Sequence, residues 1–156
     1  MVLKFTDWQF DVDIEATDIH TTNNSADHCE CDYCRNYYDT VKITYPGLVQ
    51  FLSSFGVNYA GPSELMPFEP TLMLACYRIH GRILCWGSSQ MYADDIPISV
   101  ETADNETFLL WVGEMRLPWV QEIDVNEVVS PANLPEFLAR MQDIWYLRHG
   151  TELFYS

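Results

Sequence analysis

The sequence predicts a single α+β domain spanning residues 1–156, with an antiparallel sheet of about five strands covered by about three helices. Strand-like segments run consecutively through the middle of the chain, and helical spacing occurs on both sides of them. No internal repeat, low-complexity tract or linker divides the chain, and the regular β-α-β order that signals a parallel sheet is missing. The chain is 48% apolar and carries five Trp, nine Tyr and eight Phe, enough large side chains to fill one core and to exclude a disordered class.

Each element follows from local pattern. Trp8, Phe10, Val12 and Ile14 alternate with Gln9, Asp11, Asp13 and Glu15, which predicts a half-buried first strand over 8–15. Residues 16–27 are polar and weakly periodic, with Thr21-Thr22-Asn23-Asn24-Ser25 reading as a loop. From Cys31 onward, Cys34, Tyr37, Tyr38, Val41 and Tyr45 fall three or four apart and predict a helix. Pro46 suits the first turn of a second helix, whose stripe of Leu48, Val49, Phe51, Leu52 and Phe55 runs to Gly56 as its cap. Residues 57–70, with Pro62, Pro67 and Pro70, read as an irregular connection holding a short turn at 62–65.

Residues 72–79 and 82–88 predict a hairpin around His80-Gly81, a register that sets Cys76 opposite Cys85. A second hairpin joins 96–102 to 107–113. A third helix is expected after Asn133 as cap, with Pro135 in its first turn and Glu136 completing a capping box. Its buried stripe would be Leu134, Phe137, Leu138, Met141, Ile144 and Trp145, ending near His149-Gly150.

Charge and hydropathy narrow the function classes. Twenty-three acids against eight bases give a net charge of −15, which repels nucleic-acid backbones and anionic membranes and suits solubility alone, a basic protein partner or mimicry of a nucleic acid. No apolar run approaches the roughly 18 residues of a membrane span, and the first residues lack the apolar stretch of a secretory signal, so a cytoplasmic location is expected. Thiols are reduced there, and five cysteines read as metal ligands, a redox site or core residues before they read as disulfides.

The segment His28-Cys29-Glu30-Cys31-Asp32-Tyr33-Cys34 concentrates three thiols and an imidazole where a loop enters a helix. Zinc prefers these donors, and the two-residue gap between Cys31 and Cys34 lets both sulfurs reach one tetrahedral ion. The candidate ligands are Cys29, Cys31, Cys34 and His28, with His20 as the alternative fourth donor. Zinc ranks ahead of an iron–sulfur cluster because the run lacks a fourth cysteine. A redox role for Cys31 and Cys34 is opposed by Glu30 and Asp32, whose like charge disfavours a thiolate. Inert, buried cysteines are the competing structural reading.

The run Cys29-Glu30-Cys31-Asp32-Tyr33-Cys34-Arg35-Asn36-Tyr37 resembles a group of small bacterial proteins of unknown function that carry Cys-x-Cys-x-x-Cys-Arg-Asn-aromatic after an N-terminal strand. The likeness extends to about Val57. It implies that Cys29, Cys31, Cys34, Arg35 and Asn36 act as a unit, with Arg35 and Asn36 either supporting the sulfurs or neutralising nearby acids.

No Gly-x-Ser-x-Gly elbow, His-Glu-x-x-His pair or phosphate-cradling loop occurs, so no catalytic residue is assigned and a non-enzymatic domain is expected. The cysteine cluster is expected to be a structural clasp, with zinc as its cofactor. The alternative is an acidic interaction protein, an inhibitor or immunity-type antidote that binds a basic protein partner.

Overall fold

Alternating apolar positions organise the described residues, 1–26, 29–69 and 71–121 of a computed structural model, into seven antiparallel strands and three helices. In chain order these are β1 (Val2–Phe5), β2 (Trp8–Val12), α1 (Ile14–Ala26), α2 (Asp32–Thr44) and α3 (Pro46–Ser54). They are followed by β3 (Glu64–Glu69), β4 (Leu72–Cys85), β5 (Met91–Ala93), β6 (Ile96–Thr102) and β7 (Thr107–Arg116). The α+β class holds, with seven strands in place of about five. The helix expected over 133–149 lies outside the described residues.

The sheet runs β1-β2-β4-β7-β6-β5, and β4 is its axis. One edge of β4 pairs with β7 from Leu72 to His80. The other edge is shared: β3 takes Leu72 to Cys76, and β2 takes Gly81 to Cys85. Between these two partners β4 leaves a gap, and α1 fills it with polar groups. The His80 N–H donates to Thr17 Oγ1 at 3.0 Å, and the His80 carbonyl accepts from the Asp13 N–H at 2.8 Å. One turn on, Thr21 Oγ1 donates to the Thr17 carbonyl and accepts the Asn58 N–H, both at 2.9 Å.

That arrangement corrects the expected loop at 16–27. Residues 14–26 form a helix without an apolar stripe because its buried positions, Thr17 and Thr21, satisfy backbone groups instead of burying hydrocarbon. Asp13 also ends the first strand earlier than expected, since its carboxylate accepts the Ala16 N–H at 3.0 Å and starts the helix.

The hairpin expected at His80-Gly81 is likewise not formed. Gly81 sits inside a continuous β4 at φ 154°, and a Cβ there would stand 2.2 Å from the Asp11 carbonyl oxygen. The glycine serves close approach of β2, not a turn. Cys76 therefore faces Glu64 and Trp111 across the sheet, while Cys85 lies opposite Gln9, and the two cysteines are not partners. The irregular stretch expected over 57–70 contains β3, which pairs despite Pro67 because it lies against β4 alone.

Helices α2 and α3 and the hairpin of β6 with β7 form as the spacing predicts. Pro46 opens α3, and Gly56 follows its end at φ 82°, donating to the Ser53 carbonyl at 2.9 Å. Asp94, from the turn after β5, caps α3 through the Leu48 N–H at 2.9 Å. Tyr37, Val41, Leu48, Leu52 and Phe55 meet Phe10, Tyr77, Ile79, Phe108 and Leu110 in one core. The Phe10 and Phe108 rings stack with centroids 5.3 Å apart. Within this core the hydroxyls of Tyr37 and Tyr77 share a hydrogen bond, and Tyr77 also donates to the Tyr59 carbonyl at 2.6 Å. This chain of polar contacts fixes how α2 sits on β4.

Candidate metal centre

The start of α2 gathers the thiols. Cys31 is its N-cap, with extended backbone at φ −65° and ψ 161°, and its carbonyl accepts the Arg35 N–H at 2.9 Å. Cys29 lies two residues before the cap and Cys34 one turn inside the helix. The three Sγ atoms all lie within 4.8 Å of one another, so the group can hold a metal ion. Sulfurs around tetrahedral zinc stand about 3.8 Å apart when each Zn–S bond is about 2.3 Å, a separation inside that limit. The Cys31 N–H points at Cys29 Sγ, 3.4 Å away.

Electrostatics separate the three thiols. Burial raises the Cys31 pKa, but the N–H groups of Cys34 and Tyr33 in the first turn, with the Cys29 and Cys34 side chains, outweigh it and lower the thiol below its usual 9.0. Glu30 and Asp32 do not reverse this, contrary to the expectation drawn from their sequence positions. Asp32 is held by Arg35 at 3.1 Å. Cys34 is pushed up to about 12, first by burial and then by hydrogen bonding to Cys31 and Cys29 and by their charge. Tyr38 is raised to about 12 by burial and by the same three sulfurs. Three thiolates this close repel one another, and a bound cation reverses that penalty.

Arg35 and Asn36 have separate tasks. Arg35 neutralises Asp32, as one of the two sequence readings holds. Asn36 is buried and does not reach the sulfurs: its Nδ2 donates to the Pro118 carbonyl at 3.0 Å and its Oδ1 accepts the Val120 N–H at 2.9 Å. It ties the chain after β7 to the first turn of α2, so a distant segment braces the cysteine helix. Only tertiary structure reveals that role.

Beside the thiols lies a cleft of about 520 Å³. Cys29, Cys34 and Tyr38 line it with His20 and Asn24 of α1, Glu64 of β3 and Arg78 of β4. His20 thus shares a cleft with two of the cysteines, while His28 lies outside the described residues. Burial, followed by the nearness of His80 and Arg78, lowers the His20 pKa below 6.5. The His20 and His80 rings lie 5.2 Å apart. Sequence reasoning did not place Glu64 or Arg78 at the site, because β3 and β4 reach it only through sheet pairing. Cys76 is buried in the sheet and Cys85 is exposed on β4, both apart from the cluster.

Comparison with protein-family models, curated proteins and solved structures finds no match to this chain. No helix among the described residues is long and apolar enough to cross a membrane. The reading of the site rests on its own chemistry.

Proposed function

We propose that Cys29, Cys31 and Cys34 bind zinc as a structural clasp that fastens the chain preceding α2 to that helix's first turn. The convergence of three Sγ atoms within 4.8 Å supports this most directly. Thiolates are soft donors that favour zinc among abundant divalent ions, and the first-turn N–H groups stabilise the charge of Cys31. The domain is non-enzymatic in this reading, and the metal contributes folding energy in place of chemistry. Elemental analysis of protein purified without chelator tests it: one zinc per chain is expected, lost on Cys31→Ser. Metal-free protein in which Cys29, Cys31 and Cys34 titrate with a thiol reagent at the unfolded rate contradicts it.

A second reading rests on charge. The described residues hold 16 of the chain's 23 acids, and their ion pairs engage the carboxylates of Asp11, Asp32 and Asp104. The uncompensated surface suits a basic protein partner, as an inhibitor or immunity-type antidote would need. Such a complex weakens steeply between low and high salt. Failure to retain any basic protein at low ionic strength contradicts this reading.

A further inference from the structure

We propose that His20 of α1 is the fourth ligand of the cysteine centre, so that the metal joins α1 to α2 across the cleft. The inference rests on the metal reading above and specifies its ligand set. Zinc in a closed structural site takes four donors, drawn from thiolate and imidazole above all. His20 lines the same cleft as Cys29 and Cys34, with Glu64 as the other donor of metal-binding type. The His20 ring nitrogens stand outside the group that the three sulfurs form within 4.8 Å, so a swing of the His20 side chain completes the site.

Charge decides between those two. Three thiolates and a zinc ion sum to −1, and a carboxylate would raise this to −2 inside a chain already at −15. A neutral imidazole leaves the centre at −1. Helix α1 is also firmly seated: Thr17 and Thr21 lock it to β4 and to the loop before β3, so His20 is presented from a fixed backbone.

A second observation points the same way. His80 Nε2 is buried and has no hydrogen-bond partner among the described residues, an arrangement that asks for an explanation. Its ring lies against that of His20 at 5.2 Å. A metal-bound histidine uses one ring nitrogen for the metal and gives the N–H of the other to a nearby acceptor, which orients it. With Nδ1 protonated, His80 supplies that acceptor at Nε2. The unpartnered atom becomes the support of the ligand, and closing the site satisfies it.

Cobalt(II) substitution of the full chain tests the assignment, with affinity read by competition against a chromophoric chelator. Wild type should take up one cobalt with the intense visible bands of a tetrahedral site and a sulfur charge-transfer band. His20→Ala should weaken binding by at least about tenfold and shift the visible bands, whereas His28→Ala should change neither. His20→Cys should restore tight binding and strengthen the sulfur band by the share of a fourth thiolate, and it decides the question if the alanine variant does not fold. Wild-type affinity and spectrum in His20→Ala, transfer of the loss to His28→Ala, or no gain in the sulfur band of a folded His20→Cys each overturn the assignment. A wild-type chain that takes up no cobalt overturns the cysteine centre itself, and the two failures are thereby distinct.

Discussion

Thr17→Val isolates the contact that seats α1 against the sheet. Valine keeps the shape of threonine and removes the hydroxyl, so packing is preserved while one polar partner disappears. Thr17 is fully buried, and its Oγ1 accepts the His80 N–H at 3.0 Å while donating to the Asp13 carbonyl at 2.8 Å. The Asp13 carbonyl keeps a second donor, the Thr17 N–H at 3.0 Å, so its loss is small. The His80 N–H has no substitute in the gap between β3 and β2. Leaving such a donor unsatisfied costs about 1–3 kcal/mol. For a chain of this length that lowers the melting temperature by about 3–9 °C. Urea unfolding followed by circular dichroism should show a lower midpoint with an unchanged m-value. Thr22→Val is the control, since Thr22 is exposed and its hydroxyl bonds Asp18 at the surface, and it should cost less than about 0.5 kcal/mol. A Thr17→Val protein as stable as wild type would refute the idea that α1 is held by polar matching.

Asn36→Ala should destabilise by about 1–3 kcal/mol, and hydrogen exchange at the Val120 amide should accelerate because its acceptor is gone. Stability should fall as pH rises above 9. Burial, then the charges of Glu64 and Glu101, raises the folded Cys76 thiol to about 12, so the unfolded chain releases that proton first and gains by it. The folded form holds the proton up to about pH 12, and across that window Cys76 steepens the loss by up to about 1.4 kcal/mol per pH unit. Burial also pushes the Tyr37 and Tyr77 phenols up, which extends the decline in the same direction. Pulse unfolding between pH 8 and 11 measures it, and a flat profile contradicts it. Free zinc at about 1,000 times its dissociation constant should stabilise wild type by about 4 kcal/mol and Cys31→Ser far less, as thermal melts with and without chelator would record.

The parts legible in the sequence are those whose apolar residues follow a clean period. The stripe of Tyr37, Val41, Leu48 and Leu52 marks α2 and α3, and the alternation through Phe108, Leu110 and Val112 marks β7. Helix α1 escaped because its buried face is made of Thr17 and Thr21, whose bonds to His80 and Asn58 bridge 63 and 37 residues of sequence. Gly81 was misread because a glycine after a polar residue signals a turn just as well as it signals the close approach of another strand. Cys29, Cys31 and Cys34 converge as their spacing implies, since a cap residue and its helix's first turn are local geometry. The brace that Asn36 makes to the chain after β7 was not legible, nor was the placement of Glu64 and Arg78 beside the thiols, because contacts distant in sequence and the pairing of β3 with β4 create them.

X-ray absorption at the zinc edge of the loaded protein probes the metal centre most directly, because it counts sulfur ligands without reference to stability. Three sulfurs at about 2.3 Å and one nitrogen at about 2.0–2.1 Å are expected. A shell of oxygen and nitrogen alone, with no sulfur scattering, would contradict a centre built from Cys29, Cys31 and Cys34.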